Sequence, residues 1–272
     1  MTKERVRVLG VDVERALIDK WKTWLAPERQ PFFVARGGRR SRAMSAEFRD
    51  TYHLWNIDKS LGVLWLCEDE FFSLPRSERA RLVRQQVAAQ RGAVPTVKAW
   101  ADLIDARAQA DGHRFVWWPS MVTAAVVVRY VAEDRMTSRH REVPAAVWRG
   151  LPAAKALAGT FASASGPNCF GTVMGAAGVA GAADEWMQRE PFEEWLRTAC
   201  RRGGDDNSPG TVFVWRDKDK LAIHGAITLG GGWAIEKPSQ DWSSPRTVAR
   251  VDELLRGNRH PGERLERHRQ NG

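Results

Sequence analysis

The chain has 272 residues and is 43% hydrophobic and 28% charged, which suffices for one large domain or two modest ones, each with its own core. No segment approaches the roughly 18 uninterrupted apolar residues of a membrane span. The opening MTKERVRVLG is charged and lacks an apolar h-region or small-residue cleavage site, so no secretory leader is read there and a cytoplasmic location is expected. Three cysteines, Cys67, Cys169 and Cys200, form an odd set without C-x-x-C spacing or a partnering histidine cluster. A disulfide framework and a zinc site are therefore not expected, and neither is a cofactor. The net charge of +9 is uneven: residues 1–150 hold 26 Lys and Arg against 18 Asp and Glu, and the rest hold 16 against 15. Arg36, Arg39, Arg40 and Arg42 cluster around two glycines, and a second basic run closes the chain. Such runs are solvated faces or bind anions.

Apolar groups at helical spacing predict an amphipathic helix over 13–25, and the Arg- and Gly-rich residues 29–43 read as an exposed loop. GVLWLC at 62–67 suits a buried strand. Ser77 opens a predicted helix to about residue 91, and another runs from Pro95 to Asp111-Gly112. Residues 1–150 thus read as a mixed, mostly helical region of unassigned role. Beyond Leu151, small residues lead to Pro167-Asn168-Cys169 and a Gly- and Ala-rich helix through 186. FEEWLRTAC forms a second helix. Three strand-like runs follow, TVFVW at 211–215, LAIHGAITL at 221–229 and WAIE at 233–236, the last two joined by three glycines suited to a hairpin. Residues 251–272 read as a short helix and a basic tail expected to be disordered.

A thiol becomes a useful nucleophile when its thiolate is stabilised, as at a helix N-terminus beside an imidazole. Cys169 begins a helix after a turn, where its backbone N–H can face a developing oxyanion. His224 lies in an otherwise apolar strand and needs a hydrogen-bonding partner there. With three glycines as the loop, Leu229 faces Trp233 and residue 226 faces Glu236, so Glu236 is the diagonal neighbour of His224 on the same face. Its carboxylate would hold the imidazole's tautomer. Asn168 suits either the oxyanion site or the turn. Gln240 and Trp233 are candidates to line the site, and Gln240 or Asp241 is the alternative orienting residue. Read singly, Cys169 fits a buried structural thiol and His224 a satisfied core histidine; their order with Glu236 favours chemistry. Cys200 ranks below Cys169, although Arg201 and Arg202 beside it would favour its thiolate.

Asn168-Cys169-Phe170-Gly171-Thr172-Val173 resembles the nucleophile signature of NlpC-type papain-like cysteine peptidases. Pro209-Gly210-Thr211-Val212-Phe213-Val214 resembles that family's strand entry, and His224-Gly225-Ala226-Ile227-Thr228-Leu229-Gly230 resembles its histidine strand. The family's third polar residue lies twelve positions beyond the histidine; here that position is Glu236, where the family more often has histidine. The resemblance covers roughly residues 160–245. It implies an α+β fold with an antiparallel papain-like sheet packed on a Cys-bearing helix, and a catalytic domain over 151–250.

The activity so implied is acyl transfer or amide hydrolysis through a thioester on Cys169. The expected substrate is a peptide or small-molecule acyl compound, with an anionic or carrier-bound form among the options. The family's enzymes usually cleave cell-wall peptides outside the cytoplasm, which sits uneasily with the expected location. A cytosolic amide-forming acyltransferase is the alternative within the same chemistry. A reading of another class makes the chain a basic nucleic-acid- or anion-binding protein on an inactive scaffold. No nucleic-acid-binding motif supports it, and the arginine cluster serves equally as an anion-binding site or a solvated face.

Overall fold

The computed structural model describes residues 4–34, 44–58, 60–105, 113–133 and 135–271; Arg36, Arg39, Arg40 and Arg42 lie outside them. In chain order the elements are β1 (Arg5–Val8), β2 (Val11–Glu14), α1 (Arg15–Leu25), β3 (Arg29–Val34), α2 (Ala46–Thr51), β4 (Gly62–Cys67), α3 (Glu68–Phe72), α4 (Arg76–Ala88), α5 (Val97–Trp100) and α6 (Ala124–Ala132). Then come α7 (Pro152–Leu157), α8 (Cys169–Ala176), α9 (Arg189–Ala199), β5 (Cys200–Arg202), β6 (Thr211–Arg216), β7 (Ala222–Gly230), β8 (Trp233–Glu236), β9 (Thr247–Arg250), α10 (Val251–Gly257) and β10 (Arg264–Gln270). The fold is mixed α+β. No helix among the described residues is long and apolar enough to cross a membrane.

Contacts divide the chain into two units, Met1–Glu4 with Glu14–Glu133, and Arg5–Val13 with Asp134–Gly272. In the first, β3 and β4 pair antiparallel, and Phe32, Phe71, Leu82 and Trp118 pack into a core beside them. Gln86 of α4 is buried and bonds both backbone groups of Phe33, giving β3 the hydrogen bonds that a further strand would supply. Three expectations change here. Residues 29–34 of the expected loop form β3. β4 exposes Leu64 and Trp65, so it is half-buried. Of the helix expected from Pro95 to 111, the described residues up to Asp105 show the single turn α5, and 106–111 lie outside them; Arg129 donates to the Ala99 carbonyl and to Asp102, and residues 101–103 form a turn.

The second unit is built on a six-stranded sheet in the order β5-β10-β6-β7-β8-β9, antiparallel throughout. Period-two alternation gives it two apolar faces. Val212, Val214, Ile227 and Ile235 meet Val173, Phe192 and Leu196 of α8 and α9 on one side. Phe213, Trp215, Ala226 and Ala234 meet Val251 and Leu254 of α10 on the other. Full burial of Phe192, stacked on Phe170 at 4.3 Å, contributes about 2 kcal/mol.

The expected disordered tail is corrected: residues 264–270 form β10, inserted between β5 and β6. A run of arginines suggests a solvated segment, but here its backbone completes two ladders. Asp206 pairs with Arg267, and Glu266 pairs with Arg216 and Arg202. The boundary expected at 150 moves as well. Arg139 donates its N–H to Val248 O and its guanidinium to Glu253, which ties residues 135–150 to the sheet.

Candidate active site

The loop before Cys169 ends at Asn168, whose extended backbone and side chain cap α8. Its Oδ1 accepts from Gly171 N at 3.0 Å and its Nδ2 donates to Met187 O at 2.7 Å. Asn168 therefore serves the turn, and its carboxamide is committed there instead of to an oxyanion. Cys169 is the first helical residue and is buried. The N–H groups of Cys169 and Phe170 precede the first donor that the cap engages, at a helix end suited to developing negative charge.

Gly171 sets the position of this helix. A Cβ there would lie 2.3 Å from Ala182 O, so only glycine admits the 182–185 turn against α8. Gly175 receives Ala183 in the same way. The small residues thus accommodate this turn, while Phe170 and Val173 face Gly225 of β7. The helix expected through 186 stops at Ala176, followed by Gly178 and Gly181, both in the left-handed region.

β7 presents His224 on the sheet face that Ala226 and Glu236 share. Ala226 lies opposite Glu236 as the sequence predicts, by a different route: Gly230 pairs with Trp233 across Gly231-Gly232, and an irregularity between Thr228 and Gly230 restores the register. Positive φ at Gly231 and Gly232 suits a two-residue hairpin turn. His224 Nε2 donates to Glu236 Oε2 at 2.8 Å, and Asn258 Nδ2 donates to the same oxygen at 2.8 Å. Glu236 is almost wholly buried. The Cys169 side chain also acts on the imidazole, and hydrogen bonding and charge from it favour the protonated ring. With Nε2 on Glu236, Nδ1 is the ring nitrogen left for the sulfur.

Burial alone disfavours the imidazolium of His224, but the hydrogen bonds and charges of Cys169 and Glu236 outweigh it and raise its pKa from 6.5 to about 10. The ring is therefore cationic at neutral pH, held between the thiol and the carboxylate. Cys200 differs. Desolvation pushes its thiol up to about 11 despite Arg201 and Arg202, so it stays protonated and inert at neutral pH.

The other predicted residues fall unevenly. Gln240 contributes its carbonyl, which accepts from Gly166 N at 3.0 Å and braces the loop leading to Cys169. Asp241 accepts from Ser243 N and lies 3.7 Å from Arg135, while Glu236 takes the orienting role. Trp233 does not line the site: it sits at the hairpin end of β8, alternates away from Glu236, and lies buried beneath Arg139 and Arg250. The tryptophan beside the histidine is Trp215, its ring 5.2 Å from that of His224. Two contributors were not foreseen. Asn258 caps α10 in the segment read as a tail. Lys237 is fully buried, its ammonium bonding Ser239 O and Asp241 O within the loop that braces Gly166. A lysine following an acid in an apolar run was the one available signal for the latter; Asn258 had none.

No family model, curated protein or solved structure gives a significant match to this chain.

Proposed function

We propose that the chain is a papain-like cysteine enzyme that opens an amide bond through a thioester on Cys169, with His224 as acid–base and Glu236 as its orienting carboxylate. The observation that carries this reading is the continuous Cys169–His224–Glu236 relay, with the thiol at a helix N-terminus and the imidazole held at 2.8 Å by a buried carboxylate. The Cys-bearing helix packed on the antiparallel sheet that bears the histidine supports the papain-like comparison.

In this mechanism the Cys169 thiolate attacks the carbonyl carbon, and the N–H groups at the start of α8 hold the oxyanion. As the C–N bond breaks, His224 gives its proton to the leaving nitrogen, which departs as an amine. The thioester is then attacked by water, with His224 taking the proton, or by a second amine. Hydrolysis and amide formation share every residue and differ in which nucleophile reaches the thioester. Glu236 stabilises the imidazolium at both stages.

The test is intact-protein and peptide mass spectrometry after incubation with activated acyl donors. A thioester mapped to Cys169, lost in Cys169→Ser and not formed by His224→Ala, is the expected result. Acylation at Cys67 or Cys200 instead, or undiminished turnover in either variant, would overturn the assignment.

A further inference from the structure

The basic run that closes the chain becomes β10, and the arginines on β10 and β5 differ in what they meet. Arg267 pairs with Asp206 at 2.9 Å, and Arg202 of β5 pairs with Glu266 at 3.1 Å. Arg269 and Arg201 have no such partner: neither side chain forms an ion pair or hydrogen bond among the described residues. Yet the two stand directly opposite each other in the β5–β10 ladder, and therefore on the same face. Like charges facing each other across a ladder destabilise the pairing. Asp205 acts on Arg269 by charge alone; its carboxylate is committed to Asn207 N, Ser208 N and Ser208 Oγ.

Both arginines line one cavity of about 600 Å³. Its other walls are residues 150–153, residues 176–178 at the end of α8, Pro209-Gly210 and the last residues of β10, and no acidic residue lines it. These walls are tied together. A Cβ on Gly150 would lie 2.7 Å from Pro209 Cγ, so glycine is what lets the two segments meet. Gln270 Nε2 donates to Ala177 O at 3.0 Å, and Asn271 N donates to Ala199 O at 2.8 Å, which fixes the end of β10 against α8 and α9. The cavity is thus formed before any ligand arrives, and binding there carries little ordering cost. It lies about 12 Å along α8 from Cys169, at the opposite end of that helix, and is separate from the relay.

Two planar guanidinium forks match the oxygens of a phosphate group, and a dianion between them would cancel their repulsion. A carboxylate, with a single charge, would cancel half of it. The volume is that of a small-molecule site, so a phosphate ester fits as well as the free ion. We propose that Arg201 and Arg269 form a binding site for a doubly charged phosphate group, carried on a small monoester or as the free ion, in the cavity at the C-terminal end of α8.

The experiment is titration calorimetry of the full chain with inorganic phosphate, ribose 5-phosphate and ribose, at an ionic strength held constant with chloride. Phosphate and ribose 5-phosphate should bind and ribose should not. Tighter binding of ribose 5-phosphate identifies the monoester as the ligand; equal or weaker binding identifies the free ion. Arg201→Ala and Arg269→Ala should each weaken binding about 10-fold or more, the scale of one charge-assisted hydrogen bond, and Arg201→Lys should restore part of it. Arg202→Ala removes the same charge from the other face of the same strand and should leave binding unchanged. Thermal unfolding without ligand checks the variants: Arg201→Ala and Arg269→Ala should melt at or above the wild type, because either removal ends the repulsion. No saturable binding of either phosphate up to about 10 mM, or an equal loss in Arg202→Ala, would overturn the site. Ligand-free melting of both alanine variants well below the wild type would overturn it too, because groups of the chain itself would then be holding the pair.

Discussion

Glu236→Gln removes a charge from the relay while keeping the side chain's shape, and its effect on His224 can be worked out in advance. Raising an imidazole from 6.5 to about 10 corresponds to about 5 kcal/mol in favour of the charged form. Burial opposes that preference, so Cys169 and Glu236 together supply more than this. One charge-assisted hydrogen bond contributes about 2 kcal/mol, so its loss should lower the His224 midpoint by about 1.5 pH units. The same deficit should slow deacylation, in which neutral His224 takes up a proton, about 30-fold, less than the loss of the base in His224→Ala. The midpoint is read directly by nitrogen-15 NMR of the six histidines, with the His224 signal assigned from His224→Asn. A wild-type His224 already neutral at pH 8, or the same midpoint in both proteins, would refute the reasoning.

The linked stability follows with a definite sign. Because folding raises the pKa of His224, its contribution is fully present below pH 6.5 and is lost as pH rises toward 10; urea unfolding across that window should show the loss, smaller in Glu236→Gln. Asn258→Ala removes a donor from the buried Glu236 carboxylate and should cost about 1–3 kcal/mol, read by urea denaturation, with a slower deacylation step; unchanged values in both would dissociate Asn258 from the relay. Gly171→Ala puts a methyl group into the Ala182 carbonyl and should destabilise by about 2–3 kcal/mol, whereas thermal unfolding that matches the wild type would show that the turn gives way freely. At pH 7.5 iodoacetamide should alkylate Cys169 well before Cys200, whose thiol burial holds protonated; equal rates by peptide mapping would remove the distinction between the two.

The parts legible in the sequence depend on short-range periodicity. Alternation in LAIHGAITL and WAIE, with a glycine turn between them, fixes the face on which His224 and Glu236 meet. An error of one residue in the turn did not matter, because the irregularity before Gly230 offset it. Asn168 before Cys169 marks a helix start by local hydrogen bonding alone, which is why the cap is found where the spacing places it. Local preference also misled. The Gly- and Ala-rich run after Cys169 looks like one long helix, yet its glycines serve the close approach of the 182–185 turn and the helix's early end.

What the tertiary structure alone decided is which distant groups complete the relay. Asn258 reaches Glu236 from 22 residues away, and β10 joins the sheet because its Glu266 meets Arg216 and Arg202 of the neighbouring strands and Asp206 meets its Arg267. Lys237 can be buried because backbone carbonyls of the following loop enclose its ammonium. None of these partners has a fixed spacing along the chain. Periodicity encodes which way a side chain points on its own element; which element comes to meet it is decided by packing.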